Sequence, residues 1–145
     1  MDKIRVKKLS PNANIPTYGS AGAAGADLYA CLDQDITIAP GETVFVPTGI
    51  ALEVPTGCAG LIYARSSLGS KRGLAPANKV GVIDSDYRGQ IMVALFNHGT
   101  VEQIVSHGDR IAQLVIAPVY TPGFEEVTAL EDTQRGSGGF GSTGK

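Results

Sequence analysis

The stretch GQIMVALFNHGTVEQIVSHGDRIAQLVIAPVY, Gly89 to Tyr120, decides the fold. It holds three runs, GQIMVALFN, VEQIV and RIAQLVIAPVY, separated by the short turn sequences HGT and SHGD. β-Branched and aromatic residues fill the runs and Gly punctuates them, as expected of strands joined by tight turns. RIAQLVIA also sets Ile111, Leu114 and Val115 at helical spacing. The run continues through Ile116 and Val119 in the same β-rich manner, so a strand is the expected reading. IMVALF is almost continuously apolar, which predicts two covered faces: the wall of a closed barrel, or a strand at a subunit interface.

The same rhythm recurs upstream. Ile4–Leu9 alternates apolar and basic residues. DITI leads through the turn APGE into TVFVPTGIALEVP, and the turn TGCAG precedes LIYAR. SSLGSKR is too short and too Gly-flanked to be read as more than a turn. The 145 residues include 19 Gly and 8 Pro and no Trp, which suits many short elements better than long helices. One domain with one hydrophobic core is expected at this length. The fold class predicted is all-β, an antiparallel sandwich or barrel. Beyond Pro122 the chain turns polar and ends in a Gly/Ser-rich segment, giving a β domain over 1–130 and a flexible arm over 131–145.

Composition also excludes several functions. A net charge of -2 offers no basic footprint for nucleic acid. No apolar stretch is long enough to span a bilayer, and Met1 begins no secretory pattern, so no membrane partner is expected. Cys31 and Cys58 lack metal-ligand or CxxC spacing and are read as reduced, partly buried thiols of a cytoplasmic protein, or a nuclear one if eukaryotic. His98 and His107 stand alone in turn-like contexts, which points away from zinc.

Five stretches are unusual for a plain β domain: AGADLYA (Ala24–Ala30), ARSSLGSKRG (Ala64–Gly73), NKVGVIDSDYRGQ (Asn78–Gln90), GDRIAQL (Gly108–Leu114) and RGSGGFGSTGK (Arg135–Lys145). Singly, each has a bland reading. Asp27 closes an Asx turn, RSSLG is a solvated turn, DSDYRG is a hairpin turn, Gly108 and Asp109 shape a tight turn, and the tail is disordered. Together they suit one task. Arg65 offers a planar fork for phosphate oxygens, with hydroxyl and backbone donors from Ser66 and Ser67 beside it. Asp84 follows the apolar GVI and can accept a proton from water. Tyr87 supplies a flat face for a sugar or base, and a hairpin at DSDYRG would expose backbone groups able to read a pyrimidine edge. In the tail, Arg135 and the glycines can wrap anionic oxygens. Phe140 can stack on a base, a contact worth about 1–3 kcal/mol.

In this order and at these spacings the five stretches resemble the five motifs of the homotrimeric dUTP pyrophosphatases (dUTPases), over Ala24 to Gly144. GVIDSDYRG and RGSGGFGSTG are the most specific. Two departures are visible: Ala64 stands where the family usually has Pro, and Ala26 where an aromatic often precedes the Asp. Neither removes a donor. The resemblance implies a jelly-roll-like antiparallel barrel of the β-clip type, assembled as a trimer whose sites each draw on all three subunits. It implies hydrolysis of dUTP to dUMP and pyrophosphate, with Asp84 activating water for attack at the α-phosphorus. Tyr87 would exclude a 2′-hydroxyl. Asn78, Gly81, Val82, Ile83 and the hairpin ending near Met92 would hold uracil and exclude a 5-methyl group. Arg65, Ser66, Ser67 and Gln113 would meet the triphosphate. Mg²⁺ would be held chiefly by phosphate oxygens and water, with Asp27 acting on it indirectly through water. Arg135, Ser137, Gly138 and Phe140 would close over the substrate from a neighbouring subunit.

Other readings compete. The dCTP deaminases resemble the chain at RSSLG but use a Glu where this chain has Ala94, which cannot transfer a proton. A non-catalytic nucleotide-sensing or protein-binding module that keeps the fold would have no use for both Asp84 and the full tail. GFGSTGK looks like part of a P-loop, yet no strand precedes it and no helix can follow it.

Overall fold

Strand-length apolar runs broken by Gly and Pro resolve into twelve strands and one short helix in the computed structural model, which describes residues 3–141. The first strand, β1 (Arg5–Lys8), is followed by β2 (Thr17–Tyr18), β3 (Ala26–Tyr29), β4 (Ile36–Ile38), β5 (Thr43–Pro47) and β6 (Ile50–Glu53). Then come β7 (Cys58–Tyr63), α1 (Ser66–Lys71), β8 (Leu74–Pro76) and β9 (Gly81–Ile83). The last three are β10 (Met92–Asn97), β11 (Gln103–Val105) and β12 (Arg110–Pro118). They form sheets ordered β2-β3-β12-β7-β9, β5-β10-β8, β1-β6 and β11-β4, and the pairings within them are antiparallel. This is the expected jelly-roll-like, all-β architecture.

The core is apolar and continuous: Leu28, Ile38, Val46, Ile50, Leu74, Val93, Leu95, Val105 and Ile111 are essentially inaccessible to solvent. Period-two alternation puts Val93, Leu95 and Asn97 of β10 inward. Its other face is only partly covered by the described residues. Met92 is exposed there, Ala94 and Phe96 are half-buried, and Phe45, opposite Ala94 on β5, is 67% exposed.

β12 is a strand, and its helical-looking spacing has a local cause. A register shift between Arg110 and Ala112 turns both Ile111 and Ala112 inward, ahead of Leu114. Such a bulge breaks strict alternation. Arg110 and Gln113, three residues apart, consequently share the outer face, opposite Tyr29 and Asp27 of β3.

Four local expectations are corrected. SSLGSKR forms α1, a single helical segment, because Leu68 is buried against the barrel and Gly69 and Arg72 N–H groups donate to the Arg65 and Leu68 carbonyls. Gly73, at φ +67°, ends it where a left-handed residue is needed. The run TVFVPTGIALEVP is two strands, split at Thr48 and Gly49. Gly49 has φ +68°, and a Cβ there would stand 2.8 Å from the Cys31 sulfur. DSDYRG does not join a paired hairpin, since β9 pairs with β7 while β10 pairs with β5 and β8. Residues 84–91 therefore pass between sheets. TGCAG is likewise a shorter turn than expected, as β7 begins at Cys58. Both cysteines are free and half-buried, and both histidines lie exposed in loops.

Asn97 joins the loops at one end of the barrel. Its fully buried amide donates to the Ile38 and Val101 carbonyls at 2.9 and 2.8 Å and accepts from Gly99 N–H at 3.0 Å. Asn97→Ala leaves those groups unpaired, at about 1–3 kcal/mol for each that stays dry. A loss of roughly 2–4 kcal/mol is expected in urea unfolding at fixed protein concentration.

Candidate active site

β3 delivers Asp27, and the end of β7 delivers Arg65, whose extended backbone caps α1 without a side-chain cap. Arg65 Nε donates to Asp27 Oδ1 at 2.8 Å, with the two side chains only 20% and 14% exposed. Arg110 Nη1 reaches Asp27 Oδ2 at 3.5 Å. Asp27 is thus held between two guanidinium groups and is no free base. Ser66 and Ser67 begin α1, and Ser67 Oγ lies 3.4 Å from Arg65 Nη1. Gln113 sits opposite both Asp27 and Tyr63, and its Nε2 donates to the Ala64 carbonyl at 2.9 Å. Residue 64 contributes through its carbonyl, which Ala and Pro share, while Ala26 is buried. A Cβ on Gly25 would meet the Gln113 side chain, so that glycine keeps room for it.

The sequence reading missed Arg110. The signal was an Arg immediately after the GD turn, which does form: Gly108 has φ +81°, and Ser106 N–H donates to Asp109 Oδ2 at 2.9 Å. Which face Arg110 occupies depends on the bulge, and no local periodicity announces one.

A second group surrounds β9. Asn78 is exposed at the tip of a turn in which Lys79 adopts φ +65°, a conformation that side chains other than Gly seldom take. Gly81 and Ile83 are buried, and Val82 points out. Asp84 is exposed, and its carboxylate has no hydrogen-bond or ion-pair partner among the described residues. Its carbonyl accepts from Tyr87 N–H at 3.2 Å. Tyr87, 45% exposed, donates its hydroxyl to the Gln90 carbonyl at 2.9 Å. Arg88 Nη1 donates to the Ser85 and Tyr87 carbonyls at 2.8 and 3.0 Å, pinning the turn.

The two groups lie at opposite ends of β7. Ile83 pairs with Gly60 and Gly81 with Ile62, so Asp84 projects beyond Gly60, away from Arg65. Asp84 extends the pairing to the level of Ala59. At about 3.3 Å per residue, six residues separate it from Arg65 by about 20 Å. The structure thus brings Asp27, Arg65, Ser66, Ser67 and Gln113 together, and separates them from Asp84. The described part of the tail, as far as Gly141, forms no hydrogen bond with either group: Arg135, Ser137 and Phe140 are exposed, Gly138 is half-buried, and Arg135 Nε turns back to the Gly138 carbonyl at 2.6 Å. Ser142, Thr143, Gly144 and Lys145 lie outside the described residues.

No group of three or more His, Cys, Asp or Glu side chains converges on a possible metal position among the described residues. The cluster around Asp27 offers one carboxylate, already engaged by two arginines. That donor set fits a hydrated Mg²⁺ carried on phosphate oxygens and does not fit a protein cage. No helix among the described residues is long and apolar enough to cross a membrane.

The chain is 51% identical to a deoxyuridine 5′-triphosphate nucleotidohydrolase of Desulfitobacterium hafniense, with 99% of each sequence covered. It is 50% identical to the enzyme of that name from a Janthinobacterium species, covering 100% of this chain and 99% of that one. A dUTPase variant of Staphylococcus bacteriophage 80alpha, solved with dUpNHpp, superposes with a TM-score of 0.91 at 28% identity over the whole of both chains. The family model described as dUTPase matches residues 11–144, and with nearly the full length accounted for, the chain belongs to the dUTPase family.

Proposed function

We propose that this protein hydrolyses dUTP to dUMP and pyrophosphate, keeping uracil out of DNA and supplying dUMP for thymidylate synthesis. The observation that carries the reading is the contrast between two of its acidic side chains, Asp27 and Asp84. Asp27 is neutralised by Arg65 and Arg110, whereas Asp84 stands unpaired on a pinned turn. Asp84 is then the base that orients and deprotonates water for attack at the α-phosphorus. Tyr87 lies against the deoxyribose. Asn78, Gly81, Val82, Ile83 and the backbone towards Met92 hold uracil. Arg65, Ser66, Ser67 and Gln113 receive the triphosphate, with Asp27 fixing the Arg65 fork and meeting the metal only through water. Mg²⁺, when bound, offsets phosphate charge. Following pyrophosphate release from dUTP with Mg²⁺ tests the whole reading, and absence of turnover overturns it. Ammonia release from dCTP tests the deaminase alternative, which Ala94 disfavours.

The separation along β7 supports a homotrimer with shared sites, because one chain cannot bring Arg65 and Asp84 to the same phosphate. The open face bearing Phe45 and Met92 is an apolar surface suited to such an assembly. Residues 131–145 act as the closing arm, with Phe140 on uracil and Arg135, Ser137 and Gly138 around the phosphates. Closure excludes bulk water at the reacting centre. Deleting Arg135–Lys145 is expected to leave trimerisation by light scattering unchanged while removing most turnover; full activity in the truncated protein would return the tail to a mere disordered end.

A further inference from the structure

Tyr87 does not project freely from its turn. Its hydroxyl bonds the Gln90 carbonyl at 2.9 Å, which draws the ring down over the backbone of residue 89. That position is a glycine, and its φ is not in the left-handed region, so backbone strain is not the reason for it. Space is. A Cβ on Gly89 would strike the Tyr87 hydroxyl, and would stand 2.6 Å from Cζ and 2.9 Å from Cε2 of the ring. Ordinary contact begins at 3.4 Å, and the clashing atoms belong to a ring that moves as one plate.

We propose that Gly89 is a specificity-determining positioning residue: it lets the Tyr87 ring lie flat on its own loop, and so sets how closely a sugar can approach. The inference rests on the reading of Tyr87 as the deoxyribose platform. The ring has one face against residue 89 and the other towards solvent. The height of the outer face therefore follows from what lies beneath it. An added methyl group must either lift the ring towards the sugar or swing it aside, breaking the bond to Gln90. Swinging is favoured, because the outer side is open and the hydrogen bond is exposed. A displaced ring no longer blocks a 2′-hydroxyl, so the enzyme should lose discrimination between dUTP and UTP more than it loses turnover of dUTP.

The test compares kcat/KM for dUTP and UTP in the unmodified protein, Gly89→Ala, Tyr87→Phe and Tyr87→Ala. In Gly89→Ala the dUTP:UTP ratio is expected to fall at least tenfold. A simple loss of folded protein would lower both rates together and leave the ratio alone. Tyr87→Phe removes the anchor to Gln90 without touching residue 89, and should shift the ratio in the same direction by less. It serves as the deciding variant should Gly89→Ala fail to fold. If Tyr87→Ala collapses the ratio while Gly89→Ala and Tyr87→Phe preserve it, the inference is overturned and the reading of Tyr87 stands. A ratio unchanged in Tyr87→Ala overturns both.

Discussion

Asp84→Asn is expected to bind dUTP with Mg²⁺ about as well as the unmodified protein and to hydrolyse it about 10²–10⁴-fold more slowly, the range a positioned general base contributes. Asn has nearly the shape of Asp and keeps an oxygen that can accept from water, so the nucleophile can still be located. What it lacks is a group that takes the proton. The rest of the turn does not depend on the carboxylate. The bonds within residues 84–90 run through the Asp84, Ser85, Tyr87 and Gln90 carbonyls, and the segment is tied to the barrel by the Gln90 and Arg88 side chains, all of which the substitution leaves in place. Titration calorimetry with a slowly hydrolysed dUTP analogue, beside steady-state turnover, separates the two effects. A variant that lost affinity and rate together would make Asp84 a binding group, and one with normal turnover would remove it from the chemistry.

The second large effect needs two inactive proteins. Arg65→Ala removes the fork proposed to meet the phosphates and is expected to lower kcat by about 10²–10³, as loss of a preorganised charge-stabilising donor does. Alone, it and Asp84→Asn are both nearly silent. On the proposed shared-site reading, mixing the two variants in one trimer should recover activity, because Arg65 and Asp84 of one chain stand about 20 Å apart along β7. If subunits assort at random, about a quarter of the sites in the symmetric trimer combine an intact Arg65 from one chain with an intact Asp84 from another. Co-unfolding and refolding the two variants together, then measuring pyrophosphate release, reads the recovery directly. No recovery despite demonstrated subunit mixing would contradict sharing.

Much of this was legible in the sequence, and the failures have physical causes. Alternation with Gly and Pro punctuation exposed most strands, because half-buried antiparallel strands need little else. The motif residues were visible because Arg, Asp and Tyr beside glycines are poor material for a core. SSLGSKR escaped because its helix rests on one buried contact, that of Leu68, which no propensity reports. DSDYRG looked like a hairpin because a tight turn does form at Asp84–Tyr87, while sheet membership is decided by distant partners. Arg110 was missed for a similar reason: its face depends on a backbone irregularity. The spacing of the motifs also concealed that Arg65 and Asp84, 19 positions apart in the chain, lie at opposite ends of one strand.

That irregularity in β12 sets a parity. In a regular strand, residues an odd number of steps apart look in opposite directions, so Arg110 could not stand with Gln113. The bulge at Ile111 and Ala112 adds the one step that makes an odd interval behave as even. Flattening the bulge without changing the number of residues would act on side chains as a frameshift acts on codons. Everything on one side of it would keep its meaning, and everything beyond it would be read on the wrong face, with Leu114 turned to water and Gln113 into the core. Deleting the extra residue does the opposite: Arg110 and Gln113 would then stand an even number of steps apart and share a face in a regular ladder. The length of GDRIAQ and its bulge are thus a matched pair, and a homologue one residue shorter here would keep the same faces by losing the bulge as well.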